Sequence, residues 1–162
     1  MDPEDGDRPS DAKLLGASAR AIRRQRRLTA REVSEKMHQP QRTFEYFESG
    51  AGRVNLDQIR RFASATNADP FSILVGLGLR DPEFARRCND NKLMLVFMIA
   101  LAEFNTAMGD RIATLDARTL IEAFTETFRK LESENRAREN EAEAWITEGR
   151  SRLDGREGNG DS

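Results

Sequence analysis

The sequence predicts an all-α protein, and three observations carry that prediction. Apolar residues recur at three- and four-residue spacing through most of the chain, capping residues and Gly/Pro stops punctuate the pattern, and no stretch sustains the alternation of a half-buried strand. At 162 residues the chain is long enough for one compact domain plus an accessory module.

Residues 1–10 are acidic, contain two prolines and lack any large apolar group beyond Met1, so they are expected to stay disordered. A first helix over about residues 11–26 sets Leu15, Ser18, Ala19 and Ile22 on one side, while Arg20, Arg23, Arg24 and Arg27 recur on another. Thr29 followed three residues later by Glu32 forms a capping box, which satisfies two orphan amide donors and announces a second helix burying Val33 and Met37. That helix stops near His38, which reads as a turn residue, and Gln39-Pro40 turns the chain. Pro40 suits a helix start because its missing amide hydrogen would be unpaired there. A short third helix over residues 40–49 points Phe44 and Phe47 inward and leaves Gln41, Arg42, Glu45 and Tyr46 outside, until Gly50-Ala51-Gly52 breaks it. Asn55 caps a fourth helix with Leu56, Ile59, Phe62 and Ala63 on its apolar side, and Asp69-Pro70 opens a fifth containing Phe71, Ile73 and Leu74.

In the second half, Asp81-Pro82-Glu83 restarts helix. A long helix over residues 92–108 follows, in which Leu93, Val96, Phe97, Ile99, Leu101 and Phe104 belong to an apolar surface covering nearly every direction. A last helix begins near Asp116 and carries a stripe of Leu120, Ile121, Phe124, Phe128 and Leu131, with Ala117, Ile121, Phe124, Phe128 and Leu131 stepping by four and three at coiled-coil spacing. The seam turns polar after Leu131, so residues 132–149 read as an exposed, salt-bridged helix or a fraying one, with Trp145-Ile146 as a small docking spot, and residues 153–162 as a frayed tail. The expected division is a disordered start over 1–10, a folded domain over 11–79, a helical module over 80–131 and a charged tail over 132–162.

Charge separates these parts. The whole chain is at −2, but residues 1–10 carry −3, residues 11–80 carry +6 and residues 81–162 carry −5. A basic segment between acidic neighbours suggests a polyanion-binding module attached to parts that do not touch the polyanion. One cysteine, Cys88, expected to be partly buried, cannot make an internal disulfide or a cysteine-based zinc site, and one histidine removes most multi-histidine chemistry. The longest apolar run, residues 93–102, is ten residues where a membrane span needs about 20, so no membrane partner is expected. The acidic start lacks a secretory signal pattern, and the cytoplasm is the expected compartment. There is no phosphate loop, zinc spacing or nucleophile elbow, so neither an enzyme nor a cofactor is expected.

The ordered set Leu15-Gly16, Ile22-Arg23, Leu28-Thr29, Glu32-Val33, Lys36-Met37, Thr43-Phe44, Phe47-Glu48-Ser49-Gly50, Asn55-Leu56, Ile59, Phe62-Ala63 and Asp69-Pro70-Phe71 resembles the Cro/CI-type helix-turn-helix family, also called the xenobiotic-response-element family. The resemblance covers about residues 11–75. It implies a five-helix, lambda-repressor-like domain that binds double-stranded DNA, with the helix near Pro40 in the major groove and the helix from Thr29 crossing the phosphate backbone. It places Gln41, Arg42, Thr43, Glu45 and Tyr46 at base edges. Arg suits guanine, Gln suits adenine, and Glu45 either reads cytosine or repels phosphate. It implies phosphate contacts from Arg20, Arg24, Arg27, Thr29, Arg31 and Arg53, and an ion pair between Arg23 and Glu48 that ties the first helix to the end of the recognition helix. Two positions depart from the family pattern. His38 stands where Gly is usual in the turn, and Ala30 stands where a phosphate-binding Gln is common.

A helix that is apolar all round must be covered all round. That requirement predicts a homodimer in which residues 92–131 pair with a second copy through Leu93, Val96, Phe97, Ile99, Leu101, Phe104, Ile121, Phe124 and Phe128, placing two recognition helices on an inverted repeat. RNA polymerase or a second regulatory protein is the further partner class for such a regulator. The alternative reading is an antitoxin or antirepressor partner whose C-terminal helices bind another protein.

Overall fold

A computed structural model describes residues 9–157. Among them the chain is wholly helical: α1 (Asp11–Gln25), α2 (Ala30–Lys36), α3 (Gln41–Glu48), α4 (Leu56–Thr66), α5 (Pro70–Leu79), α6 (Pro82–Arg87), α7 (Leu93–Met108), a 3-10 turn (Gly109–Thr114) and α8 (Ala117–Glu157). They form two compact units, one up to Ala107 and one from Met108 onward.

In the first unit, the core is built from Leu15, Ala19 and Ile22 of α1, Val33 and Met37 at α2, Phe44 and Phe47 of α3, Ile59 and Phe62 of α4, Ile73 of α5 and Ala85 of α6. Three aromatic rings hold α3 to α4. Phe44 stacks on Phe62 at 6.1 Å, and Phe47 tilts against both at 5.8 and 6.1 Å, arrangements that add to the area they bury. Gly16 lets α1 close on the end of α3, since a Cβ there would lie 2.3 Å from the Glu48 carbonyl oxygen. Gly50, at φ +72°, turns the chain away where a Cβ would meet Lys13 at 2.6 Å.

The capping signals produce the helix starts. Thr29 and Glu32 form both bonds of the capping box, Asn55 accepts from Asp57 N and Gln58 N, and Asp81 accepts from Glu83 N. Several details differ from expectation. Ser10 accepts from Lys13 N at 3.3 Å, so order begins before Asp11. The rest of the expected disordered start, residues 1–8, lies outside the described residues, as do residues 158–162 of the tail. Pro40 sits just ahead of α3 rather than inside it. Leu56 is 52% exposed, because as the first residue of α4 it projects beyond the core that Ile59 and Phe62 fill.

The first compact unit extends to Ala107 and includes α6 and nearly all of α7. α6 packs on α1 and α5, with Ala85, Cys88 and Asn89 buried in the same interior. Cys88 is therefore fully rather than partly buried. Burial, followed by the nearby Asp69 carboxylate, pushes its thiol above the ordinary range.

α7 leaves the core with none of its residues buried. By length and composition alone, the segment Leu93–Thr114 is long and apolar enough to cross a membrane. Glu103 ends the ten-residue run, but Ala107, Met108, Ile112 and Ala113 keep the longer segment apolar on average.

In the second unit, α8 is a continuous helix of 41 residues that includes residues 153–157. Pairs at four-residue spacing line it, with Arg136 to Glu132 at 2.7 Å, Asn135 to Glu139 at 2.9 Å and Arg118 to Glu122 at 3.0 Å. Ile121, Phe124, Phe128 and Leu131 all face solvent on it, as do Trp145 and Ile146.

Candidate nucleic-acid interface

The site is built on α3 and the elements that hold it. Phe44 and Phe47 fix the inner face of this helix, which leaves Gln41, Arg42, Thr43, Glu45 and Tyr46 exposed together on the outer face. Three of these side chains are already engaged. Gln41 Nε2 donates to Glu45 Oε1 at 2.7 Å, so the carboxylate aims the amide along the helix and must release it for any bidentate contact. Tyr46 is 58% exposed, yet its hydroxyl donates to the Ala51 carbonyl at 3.0 Å. The ring is thereby held against Gly52, and Tyr46 and Arg53 line one cleft with Val54 and Gln58.

Behind α3, Glu48 is the electrostatic anchor. Arg23 Nε donates to its two oxygens at 2.9 and 3.2 Å, and Arg23 Nη2 lies 2.8 Å from Oε1. Arg23 Nη1 donates to the Leu28 carbonyl at 3.1 Å, which ties the α1–α2 turn to the same cluster. The two side chains are 18% and 8% exposed, and a bidentate guanidinium–carboxylate pair that far from water is both strong and directional. Arg20, expected to reach phosphate, sits 3.8 Å from Glu48 and is 48% exposed, so part of its charge is directed at that carboxylate.

The remaining cations expected at phosphate lie on the exposed surface. Arg24 lies in the last turn of α1 and Arg27 in the turn after it, Arg31 on α2 donates to Glu35 at 2.9 Å, and Arg53 follows α3. Thr29 is exposed at the N-terminus of α2, with its hydroxyl committed to the capping box. The Glu32 carboxyl is held below its ordinary range chiefly by the Thr29 amide N–H at 2.7 Å, and next by the Thr29 hydroxyl.

The turn between α2 and α3 passes through His38 at φ +54°, the left-handed backbone that Gly adopts most easily. Arg27, Asn67, Arg80 and Lys92 share that conformation, and only Asn67 is of a type that favours it. Arg26, which the sequence reading left unassigned, is a structural pin. Its guanidinium donates to the Thr66 carbonyl at 3.1 Å, the Asn67 carbonyl at 3.0 Å and Asp90 at 2.7 Å.

No family model and no curated protein matches the chain. Among solved structures it is similar to the clp gene regulator ClgR from C. glutamicum, with 23% identity and a TM-score of 0.41 over 43% of this chain and 91% of that one.

Proposed function

We propose that this chain is a sequence-specific double-stranded DNA-binding transcriptional regulator that acts as a homodimer on an inverted repeat, with α3 in the major groove. The observation that carries the reading is the outer face of α3. Five polar side chains, Gln41 to Tyr46 without Phe44, face solvent from a short helix whose other side is fixed by aromatic packing and by the Arg23–Glu48 pair. A rigid, polar helix face flanked by exposed arginines matches what base readout and phosphate anchoring each require.

In this reading Arg42 and Gln41 read bases, Thr43, Glu45 and Tyr46 refine the fit, and Arg24, Arg27, Arg31 and Arg53 hold the backbone together with Arg20 and the Thr29 end of α2. The dimer forms through the exposed apolar residues of α7 and the first part of α8. Binding of genomic fragments followed by measurement of Arg42→Ala and Arg24→Ala across salt concentrations tests the assignment. Arg42→Ala should relax preference at one base pair at a cost of about 1–3 kcal/mol, while Arg24→Ala should weaken all sequences alike and lower the salt slope by about one. Two variants that bind as the wild type does would remove α3 from the interface.

A second reading draws on Trp145, 70% exposed, and Ile146, 51% exposed, on α8. They suit a second regulatory protein or RNA polymerase, and in an antitoxin-like arrangement that contact would be the main activity. A stable heterologous complex that survives Ile99→Asp but not Trp145→Ala would favour it.

A further inference from the structure

Asp69 joins two helices that the proposed function uses for different purposes. Its side chain is fully buried. One carboxylate oxygen accepts from Phe71 N at 3.0 Å and Ser72 N at 3.3 Å, the ordinary cap of α5. The other accepts from Met94 N at 3.0 Å and Leu95 N at 2.9 Å, the first turn of α7. The remaining contacts at this junction reinforce it. Leu93 N donates to Asn91 Oδ1 at 3.0 Å, Lys92 Nζ donates to the Asn67 carbonyl, and Arg26 reaches both Asn67 and Asp90.

We infer that Asp69 is the positioning residue that fixes the direction of α7 relative to α3, and through it the half-site separation the dimer accepts. The inference rests on the proposed function. α3 and the part of α7 that bears Val96, Ile99, Leu101 and Phe104 fall in one compact unit, and only residues 88–92, pinned by the contacts above, separate α7 from α6. The path between them runs through α4, α5 and the Asp69 carboxylate. Two amide dipoles at the start of α7 aim at one oxygen atom, and the positive end of the α7 dipole points at the same charge. A carboxylate whose other oxygen is locked to α5 leaves α7 a narrow range of directions. When two copies pair through α7, that direction becomes the distance between their α3 helices, which must match one turn of duplex or a multiple of it.

The test uses the full chain with Asp69→Ser and Asp69→Asn. Serine retains a local cap for α5 and cannot reach Met94 or Leu95, while asparagine keeps the shape and has a single accepting oxygen for two helices. Three readouts are taken: amide exchange at Met94 and Leu95, affinity for an isolated half-site, and affinity for paired half-sites whose separation varies base pair by base pair. The expected result is that exchange at the two amides rises by at least ~10-fold and half-site affinity stays within ~2-fold. The wild type's preference for one separation, ~10-fold or more, should fall below ~3-fold. Variants that keep the wild-type separation preference overturn the inference, and so do variants that lose half-site affinity, since Asp69 would then be holding the domain itself together. Wild-type protein that binds no half-site sinks the proposed function instead, and the amide exchange still reports whether Asp69 holds α7.

Discussion

Removing Arg23 while leaving Glu48 in place tests whether this pair holds α3 against α1. In Arg23→Met the aliphatic stem is retained, and what disappears is the guanidinium that makes three contacts of 2.8 to 3.2 Å with a carboxylate only 8% exposed. Stranding one partner of a buried pair costs about 3–5 kcal/mol. Arg20 reduces that cost, because it already lies 3.8 Å from the same oxygen and, being half exposed, can swing closer. The net loss expected is about 2–3 kcal/mol, a factor of about 30 to 150 in the open population. Cys88 supplies the assay. It is the chain's one cysteine, it is 3% exposed, and it lies at the end of α6, which packs on α1. Where opening and closing are fast, the rate of thiol labelling follows the open population, so Arg23→Met should label about 30- to 150-fold faster at a fixed pH. Arg20→Met combined with Arg23→Met should lose more than the two single variants together, since the compensating cation is then gone. Labelling within about threefold of wild type in both the single and the double variant would refute the claim that the pair holds α1 to α3.

Other outcomes follow from the same geometry. Gly16→Ala should lower stability by about 2 kcal/mol in thermal or urea unfolding even though Ala is the better helix former, because its Cβ would lie 2.3 Å from the Glu48 carbonyl oxygen; a variant as stable as wild type would contradict the close approach of α1 and α3. Thr29→Ala should cost about 1 kcal/mol through the lost cap. The Glu32 carboxyl is held below its ordinary value, so its contribution is present above that ordinary value and disappears as pH falls through the lowered one; Glu32→Gln should flatten this acid limb in melts taken across pH. Ile99→Asp should convert the protein to monomers and weaken binding to paired half-sites, and an unchanged mass in solution would remove α7 from the proposed dimer.

The sequence is most readable where a local signal has one structural meaning. Thr29-x-x-Glu32, Asn55, Asp69-Pro70 and Asp81-Pro82 each mark a helix start because an amide donor needs an acceptor at that point, and the structure caps a helix at each. Phe44 and Phe47 fall inward because a three-residue spacing on a short helix leaves one face for the core. What the sequence conceals depends on distant partners. The left-handed backbones of Arg27, Arg80 and Lys92 have no composition signal, since these residue types gain nothing locally from that conformation and adopt it where packing dictates the turn. The second role of Asp69 is hidden for the same reason: an Asp before Pro reads as the cap of its own helix, and nothing in the chain announces that its other oxygen serves a helix some 25 residues later. At the candidate interface, the outward face of α3 is legible from spacing, whereas the Gln41–Glu45 bond and the partial capture of Arg20 by Glu48 depend on side-chain geometry.

Two kinds of surface suit the exposed apolar residues of α7, a bilayer and another protein, and they differ in cost. Sixteen residues of α-helix rise about 24 Å, short of the roughly 30 Å of a hydrocarbon core. The extension to Thr114 is a 3-10 turn entered through Gly109 at φ +53°, so the longer segment is not one straight α-helix. Glu103 stands at the middle of Leu93–Thr114, where a charged side chain costs about 3 kcal/mol. Asp69, Asp90 and Lys92 cluster at its first turn, so insertion would bring that charged junction to the edge of the hydrocarbon. None of these features obstructs pairing with protein. Val96, Ile99, Leu101 and Phe104 are 40–59% exposed, and covering them gains about 25 cal/mol for each Å² buried, while Glu103 can remain at the rim in water. In the proposed dimer, a second copy of α7 would therefore cover these residues at lower cost than lipid, since it supplies an equally apolar surface.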